Sequence, residues 1–191
     1  LERIGHHHRR SHHGRELLIS GEKMKLILAI DQGTTGTTAT LIDADNFNFL
    51  GKVNREYRQI YPRPGEVEHD LKDIWETVRA TTTEVLAQCK ARPSDILCIG
   101  ITNQRETVCA FDTTGTPLRN AIVWQDRRTE VFCRELRATP KAQLITKKTG
   151  LPLDPYFSAT KMNWMLTHDS NVKRANERGE LRFGTIDTFL L

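Results

Sequence analysis

The chain has 191 residues, enough for a single domain with a sizeable core. Its apolar share of 38% and charged share of 27% exclude the disordered and fibrous classes, and no apolar run approaches the roughly 18 residues of a membrane span. The net charge is +4, but residues 1–23 contribute five basic and three acidic residues; the remaining 23 basic and 21 acidic residues give no electrostatic footprint for nucleic acid.

The first 23 residues, LERIGHHHRRSHHGRELLISGEK, hold five of the seven histidines and lack the roughly 7–15-residue apolar core of a secretory signal. Three readings stay open: a tag or cloning scar, a metal-binding arm, or upstream sequence translated from a start set too early. The last is favoured, because Ser-Gly-Glu-Lys-Met can be encoded by codons containing AGGAG just before ATG. Met24 is thus the expected start, and 1–23 a non-native or disordered leader. No acidic or cysteine partners accompany its histidines. Cys89, Cys98, Cys109 and Cys133 form no CxxC pair, and without an export signal they are expected as reduced thiols in a cytoplasmic protein.

From Met24 the pattern is strand-rich. Segments 25–30, 37–42 and 47–53 read as three strands, with turn chemistry at 43-DADN-46, which predicts an antiparallel meander. A polar loop, 54-NREYRQIYPRPGEVEH-69, follows; Pro62, Pro64 and Gly65 exclude regular structure there. Asp70 reads as a helix N-cap, with Asp73 as an acidic variant of the capping box. Ile74, Trp75, Val78, Val85, Leu86 and Cys89 recur at helical spacing, so one face of a helix 71–91 should be buried before Pro93 ends it. Buried strand 96-ILCIGIT-102, strands 107-TVCAFD-112 and 121-AIVW-124, and a turn at 113-TTGTP-117 come next. A helix should start near Asp126 with Val131, Phe132 and Leu136 as its apolar residues and Pro140 as its limit. A further helix is expected at 159–168 and a strand at 181–186. The closing 188-TFLL-191 normally leads into another packed element, so a truncated chain is expected.

Four stretches carry chemistry. In 31-DQGTTGTTAT-40, glycines that permit positive φ and hydroxyl-bearing threonines follow a strand that ends in Asp31. Such a turn can hold phosphate, and the aspartate can hold hydrated Mg²⁺; it can equally be a hairpin with threonines for β propensity. In 102-TNQRET-107, Arg105 and Glu106 pair a forked donor with an acceptor, suited to vicinal hydroxyls or to a solvated ion pair. In 124-WQDRR-128, Trp124 can wall a polyol's carbons or sit in the core. The loop 150-GLPLDPYFSATK-161 presents Tyr156, which can reach a ligand or anchor the loop.

Taken in this order, DQGTT at 31–35, YPRPGEVEHD at 61–70, IGITNQRET at 99–107, NAIVWQDRR at 120–128, DPYFSATK at 154–161 and FGTIDTFL at 183–190 resemble the N-terminal part of the FGGY carbohydrate kinases, and among them the glycerol kinases. The resemblance implies an α/β fold: an actin-like, ribonuclease-H-like ATPase lobe at 24–191, incomplete at its C-terminal end, with a mixed sheet, a leading antiparallel meander and flanking helices. It implies ATP-dependent phosphorylation of glycerol to sn-glycerol 3-phosphate by the parent protein, with Mg²⁺, no nucleic-acid or membrane partner, and a homo-oligomer at full length. Carried over by position, Asp31 would organise Mg²⁺, Thr34, Thr35 and Gly36 would contact ATP phosphates, Arg105, Glu106 and Tyr156 would bind glycerol hydroxyls, and Trp124 would pack on its carbons. The family's usual arginine seven residues after the first aspartate is Thr38 here, which should weaken phosphate binding. The resemblance puts the catalytic aspartate beyond Leu191, leaving this chain inactive alone; a non-catalytic binding fragment and another FGGY sugar or polyol kinase are the alternatives.

Overall fold

The computed structural model describes residues 24–191; the expected leader, 1–23, lies outside the described residues. In chain order the elements are β1 (Leu26–Gln32), β2 (Gly36–Asp43), β3 (Phe49–Glu56), β4 (Glu68–His69), α1 (Leu71–Gln88), β5 (Ile96–Asn103), β6 (Cys109–Phe111) and β7 (Ala121–Ile122). They continue with α2 (Glu130–Arg137), α3 (Lys141–Thr149), α4 (Ser158–His168), α5 (Ser170–Glu177), β8 (Arg182–Gly184) and α6 (Ile186–Leu190). Among the described residues no helix is long and apolar enough to cross a membrane.

The main sheet runs in the order β3-β2-β1-β5. The first three strands form the expected antiparallel meander, and α1 then carries the chain across so that β5 pairs parallel to β1. The period-2 alternation of β1 points Leu26, Leu28 and Ile30 to one face, where they meet Ala39 and Leu41 of β2 and Val78 and Val85 of α1. Asp70 caps α1 by accepting from the Lys72 amide. Asp73 forms a long ion pair with Arg58 at 3.8 Å. A second cluster gathers Val108, Ala110 and Ile122 with Met165 of α4 and Val172 of α5. The small pairings β4–β7 and β6–β8 frame it.

Several expectations change. The 54–69 loop does carry order, because Glu68 and His69 pair with Ile122 and Ala121. No described strand covers the far side of β5, so Ile99 is 58% exposed where a buried strand was expected. Trp75 lies at the border of the α1 stripe and is 43% exposed. In α2 the buried residue is Cys133, and Val131 and Phe132 face outward. Pro140 does not close a helical region: it precedes α3, whose residues are all at least partly exposed and so give no apolar stripe to read. Helix α5 was also missed; Asp169 caps it by accepting from the Asn171 and Val172 amides. All four cysteines are free.

Gly36 has a different reason from the positive φ expected of it, a conformation that neither it nor Gly33 adopts. A Cβ at Gly36 would lie 2.7 Å from the Arg55 carbonyl oxygen and 3.2 Å from the Glu56 Cα, so the close approach of β3 demands glycine. Gly36→Ala is expected to destabilise the fold by about 1–3 kcal/mol through overpacking against backbone that cannot give way. Gly100→Ala in β5, where a Cβ meets nothing within 4 Å, should change stability by no more than about 0.5 kcal/mol. Urea unfolding of the two variants checks the contrast.

Candidate active-site crevice

Parallel pairing of β1 with β5 sets Asp31 beside Thr102 and Gln32 beside Asn103, so both strands end at one edge of the sheet. The Gln104 amide donates to the Gln32 carbonyl at 2.8 Å, extending the pairing one residue into the turn. The turn after β1 and the turn after β5 are therefore neighbours by construction.

Between them lies a buried polar cluster. Gln32 continues the inward register of Leu28 and Ile30, so its amide is buried with them. Gln104 Nε2 lies 3.1 Å from Gln32 Oε1, 2.9 Å from the Tyr57 hydroxyl, 3.3 Å from the Gly33 carbonyl and 3.2 Å from His69 Nδ1. Thr107 donates to Gln104 Oε1 at 2.8 Å, which fixes the orientation of that amide. The Tyr57 hydroxyl reaches the Gly33 and Thr34 carbonyls at 2.6 and 2.9 Å. His69 Nε2 is 2.7 Å from Gln59 Oε1, and Gln59 Nε2 donates to the Thr34 carbonyl at 3.1 Å. A neutral His69 with its proton on Nε2 satisfies both neighbours at once. These bonds hold the carbonyls of the 33–34 turn inward, and the amides of Thr34 and Thr35 have no acceptor among the described residues.

The sequence-read residues fall as follows. Asp31 is exposed, with no side-chain partner among the described residues, on the sheet face opposite α1. Thr38 pairs with Asp31 across the ladder on that same face, and Asn54 donates to its hydroxyl at 2.8 Å. Trp124 is half-buried: its indole N–H donates to the Thr34 hydroxyl at 2.9 Å, and its ring meets Tyr156 edge-on at 5.8 Å. Its backbone amide approaches the Thr107 hydroxyl at 3.3 Å. Glu106 takes φ +63°, an unusual conformation for a side-chain-bearing residue, and its Oε2 accepts from Ser158 N at 2.8 Å and Ser158 Oγ at 2.6 Å. Glu106 Oε1 and the exposed Arg105 guanidinium have no partner among the described residues. Contacts thus join Thr34, Trp124 and Tyr156, and Glu106 meets the same 156–158 segment through Ser158; with Arg105 on the Glu106 turn they make up the candidate crevice.

The sequence reading passed over the supports of these residues: Gln32, Tyr57, Gln59, His69 and Gln104 under the turn, and Ser158 and Lys161 behind Glu106. Only Gln32 had a legible signal, its place in the inward alternation of β1. Arg128 is a further support. It bonds Asp126 at 2.8 Å and Glu68 at 2.9 Å and covers the Trp164 ring at 4.7 Å, locking the end of 120–128 onto α4.

Burial holds His69 down at about 4, well below an ordinary imidazole. The unfolded chain takes up that proton below about 6.5, while the folded chain does so only near 4. The stability that His69 contributes is therefore fully present above about pH 6.5 and is lost as pH drops toward 4, by roughly 3 kcal/mol in total. Urea midpoints measured from pH 7 to 4 should fall in this window, and His69→Gln should flatten the profile by about one proton.

The model of the FGGY family of carbohydrate kinases, N-terminal domain, matches residues 26–191. The chain is 53% identical over 169 residues to the glycerol kinase of Rhizobium meliloti, covering 86% of this chain and 33% of that protein. It is 48% identical to the glycerol kinase of Borrelia duttonii, covering 88% of this chain and 34% of the relative. Among solved structures it superposes on the Plasmodium falciparum glycerol kinase with ADP at a TM-score of 0.80, with 36% identity over 87% of this chain and 33% of that one. A gluconate kinase from Lactobacillus acidophilus, 23% identical with a TM-score of 0.75, shares the fold. The chain spans about a third of the length of these relatives. Its mixed sheet and helices are part of an actin-like ATPase fold, and the chain belongs to the FGGY family of carbohydrate kinases.

Proposed function

We propose that this chain supplies the polyol site and the phosphate-facing turn of a kinase that transfers the γ-phosphoryl group of ATP to glycerol, giving sn-glycerol 3-phosphate. The observation that carries the reading is the Trp124–Thr34 hydrogen bond of 2.9 Å, which joins the wall of the polyol pocket to the turn that meets phosphate. Identity near 50% with glycerol kinases over most of the chain supports glycerol as the polyol.

The residues fit the ligands chemically. Glu106 has one carboxylate oxygen taken by Ser158 and the other open to accept from a hydroxyl. Arg105 donates to the neighbouring hydroxyl oxygen, and the Trp124 and Tyr156 rings exclude water from the carbon face. The unpaired amides of Thr34 and Thr35 donate to phosphate oxygens, with Gly36, kept free of a side chain by the close approach of β3, beside them. A lone exposed carboxylate such as Asp31 suits Mg²⁺, which keeps most of its waters and takes the rest of its ligands from phosphate. That ion, when bound, supplies charge neutralisation for the phosphates. The chain's part in catalysis is then positioning: it holds the polyol hydroxyl and the phosphate turn at a fixed separation. Asp31 and Glu106 are both committed to binding, so no described residue is assigned as general base.

The 191-residue chain should bind glycerol and fail to turn over ATP and glycerol in a coupled assay. Arg105→Ala should weaken glycerol binding at least tenfold by calorimetry, the loss of a bond to a charged group. Put in place of the matching third of the Rhizobium meliloti glycerol kinase, the chain should support glycerol phosphorylation, with kcat/KM reduced about 10–100-fold by Arg105→Ala. The reading fails if Arg105→Ala leaves glycerol binding and turnover unchanged while another polyol is phosphorylated.

A further inference from the structure

An ammonium group taken fully out of water survives only if its donors are matched. Lys161, in the second turn of α4, is the largest fully buried side chain among the described residues. Among the described residues no carboxylate lies within ion-pair distance of it. Its Nζ donates to three backbone carbonyls, those of Glu106 at 3.1 Å, Phe157 at 3.3 Å and Tyr156. Three N–H donors thus meet three carbonyls, and two of these belong to residues whose side chains line the crevice.

The Glu106 end of this arrangement carries strain. A residue with a Cβ in the left-handed region is strained, and its neighbours have to impose it. Here α4 imposes it from both sides: Ser158 holds the carboxylate and Lys161 holds the carbonyl. A lysine that merely filled space would have no reason to collect carbonyls from two separate loops.

We propose that Lys161 is a positioning residue of the polyol site: its ammonium clamps the backbone of Glu106 to that of Tyr156–Phe157, so both side chains are presented in one fixed arrangement. This rests on the assignment of Glu106 and Tyr156 to the polyol. The clamp is complete only while the amine holds three protons. Burial draws Lys161 down to about 8, against the opposing pull of Glu106, Asp126, Asp154 and Cys133 around it. Deprotonation leaves two donors for three carbonyls, so glycerol binding weakens as pH rises through this range.

The test uses the 191-residue chain, with glycerol affinity from calorimetry and exchange of the Ser158 amide from NMR, referenced to Ile30 in β1. Lys161→Met is expected to speed Ser158 exchange and to weaken glycerol binding at least tenfold each, with Lys161→Arg recovering part of both. Between pH 7 and 9 the unmodified protein and Cys133→Ser should lose affinity about tenfold, and Lys161→Arg should not. Ser158 exchange and glycerol affinity within twofold of the unmodified protein in Lys161→Met would overturn the proposal, as would a pH dependence that persists in Lys161→Arg. If Lys161→Met does not fold, the unmodified protein decides, and a flat profile from pH 7 to 9 overturns the clamp. If the unmodified protein binds no glycerol, the polyol assignment falls, and Ser158 exchange in Lys161→Arg at pH 9 judges the clamp alone: protection above that of the unmodified protein upholds it, and equal protection refutes it.

Discussion

The side-chain amide of Gln104 is the point on which the crevice depends. Its nitrogen has two protons and four acceptors within 3.3 Å, while its oxygen is fixed by Thr107. Shared donors of this kind polarise one another in a low-dielectric interior, and leaving any one acceptor unpaired costs about 1–3 kcal/mol. Among the described residues no buried side-chain polar atom lacks a partner, so the cluster is fully satisfied as built. Its effect is directional. Carbonyls of the 33–34 turn are drawn into the protein by Tyr57, Gln59 and Gln104, which turns the amides of that turn outward.

Thr107 links this turn to the end of the 120–124 segment. Its hydroxyl donates to Gln104 and lies 3.3 Å from the amide of Trp124, whose indole returns to Thr34. A closed circuit therefore runs from the turn after β1, through the end of β5, to the end of the 120–124 segment and back. Arg128, Arg119 and their carboxylates bear on the same segment from behind. Buried ion pairs of this kind add little net stability, and here they are better understood as fixing where the 120–128 segment ends. Trp164, covered by both guanidiniums, carries that register into α4. From α4 come Ser158 and Lys161, and these in turn hold Glu106.

Much of this fold was legible in the sequence because periodicity reports which side of an element is wet. The apolar run at 25–30 with the strand and turn signals after it gave the meander, and the helical spacing of 71–91 gave the helix that follows; the parallel return of β5 beside β1 came from the structure. Where a helix is short and exposed throughout, as α3 is, there is no stripe and the signal vanishes. The candidate residues were legible by type, since an aspartate, an arginine and a tryptophan at strand ends are chemically conspicuous. Their supports were not, because a buried glutamine or lysine looks like a surface residue until its partners are known. Gly36 shows the opposite failure: its type was noticed, but the reason was a neighbouring strand and not the turn. No property of Glu106 or its neighbours in sequence announces a left-handed backbone; it follows from the first turn of α4 packing against it from 52 residues away.

The two walls of the crevice differ in kind. On the proposed phosphate side the donors are backbone amides and hydroxyls, and the position across from Asp31 is Thr38, whose hydroxyl already accepts from Asn54. On the proposed polyol side sit a guanidinium and a carboxylate side by side on one turn, one of them strained into place. Neutral donors gain affinity from number and orientation, so the phosphate wall depends on the Gln104 cluster holding the turn rigid. Charged groups gain it from a fixed separation, so the polyol wall depends on α4. The sheet register that puts Asp31 beside Thr102 is what brings two turns with separate supports to one edge of the sheet.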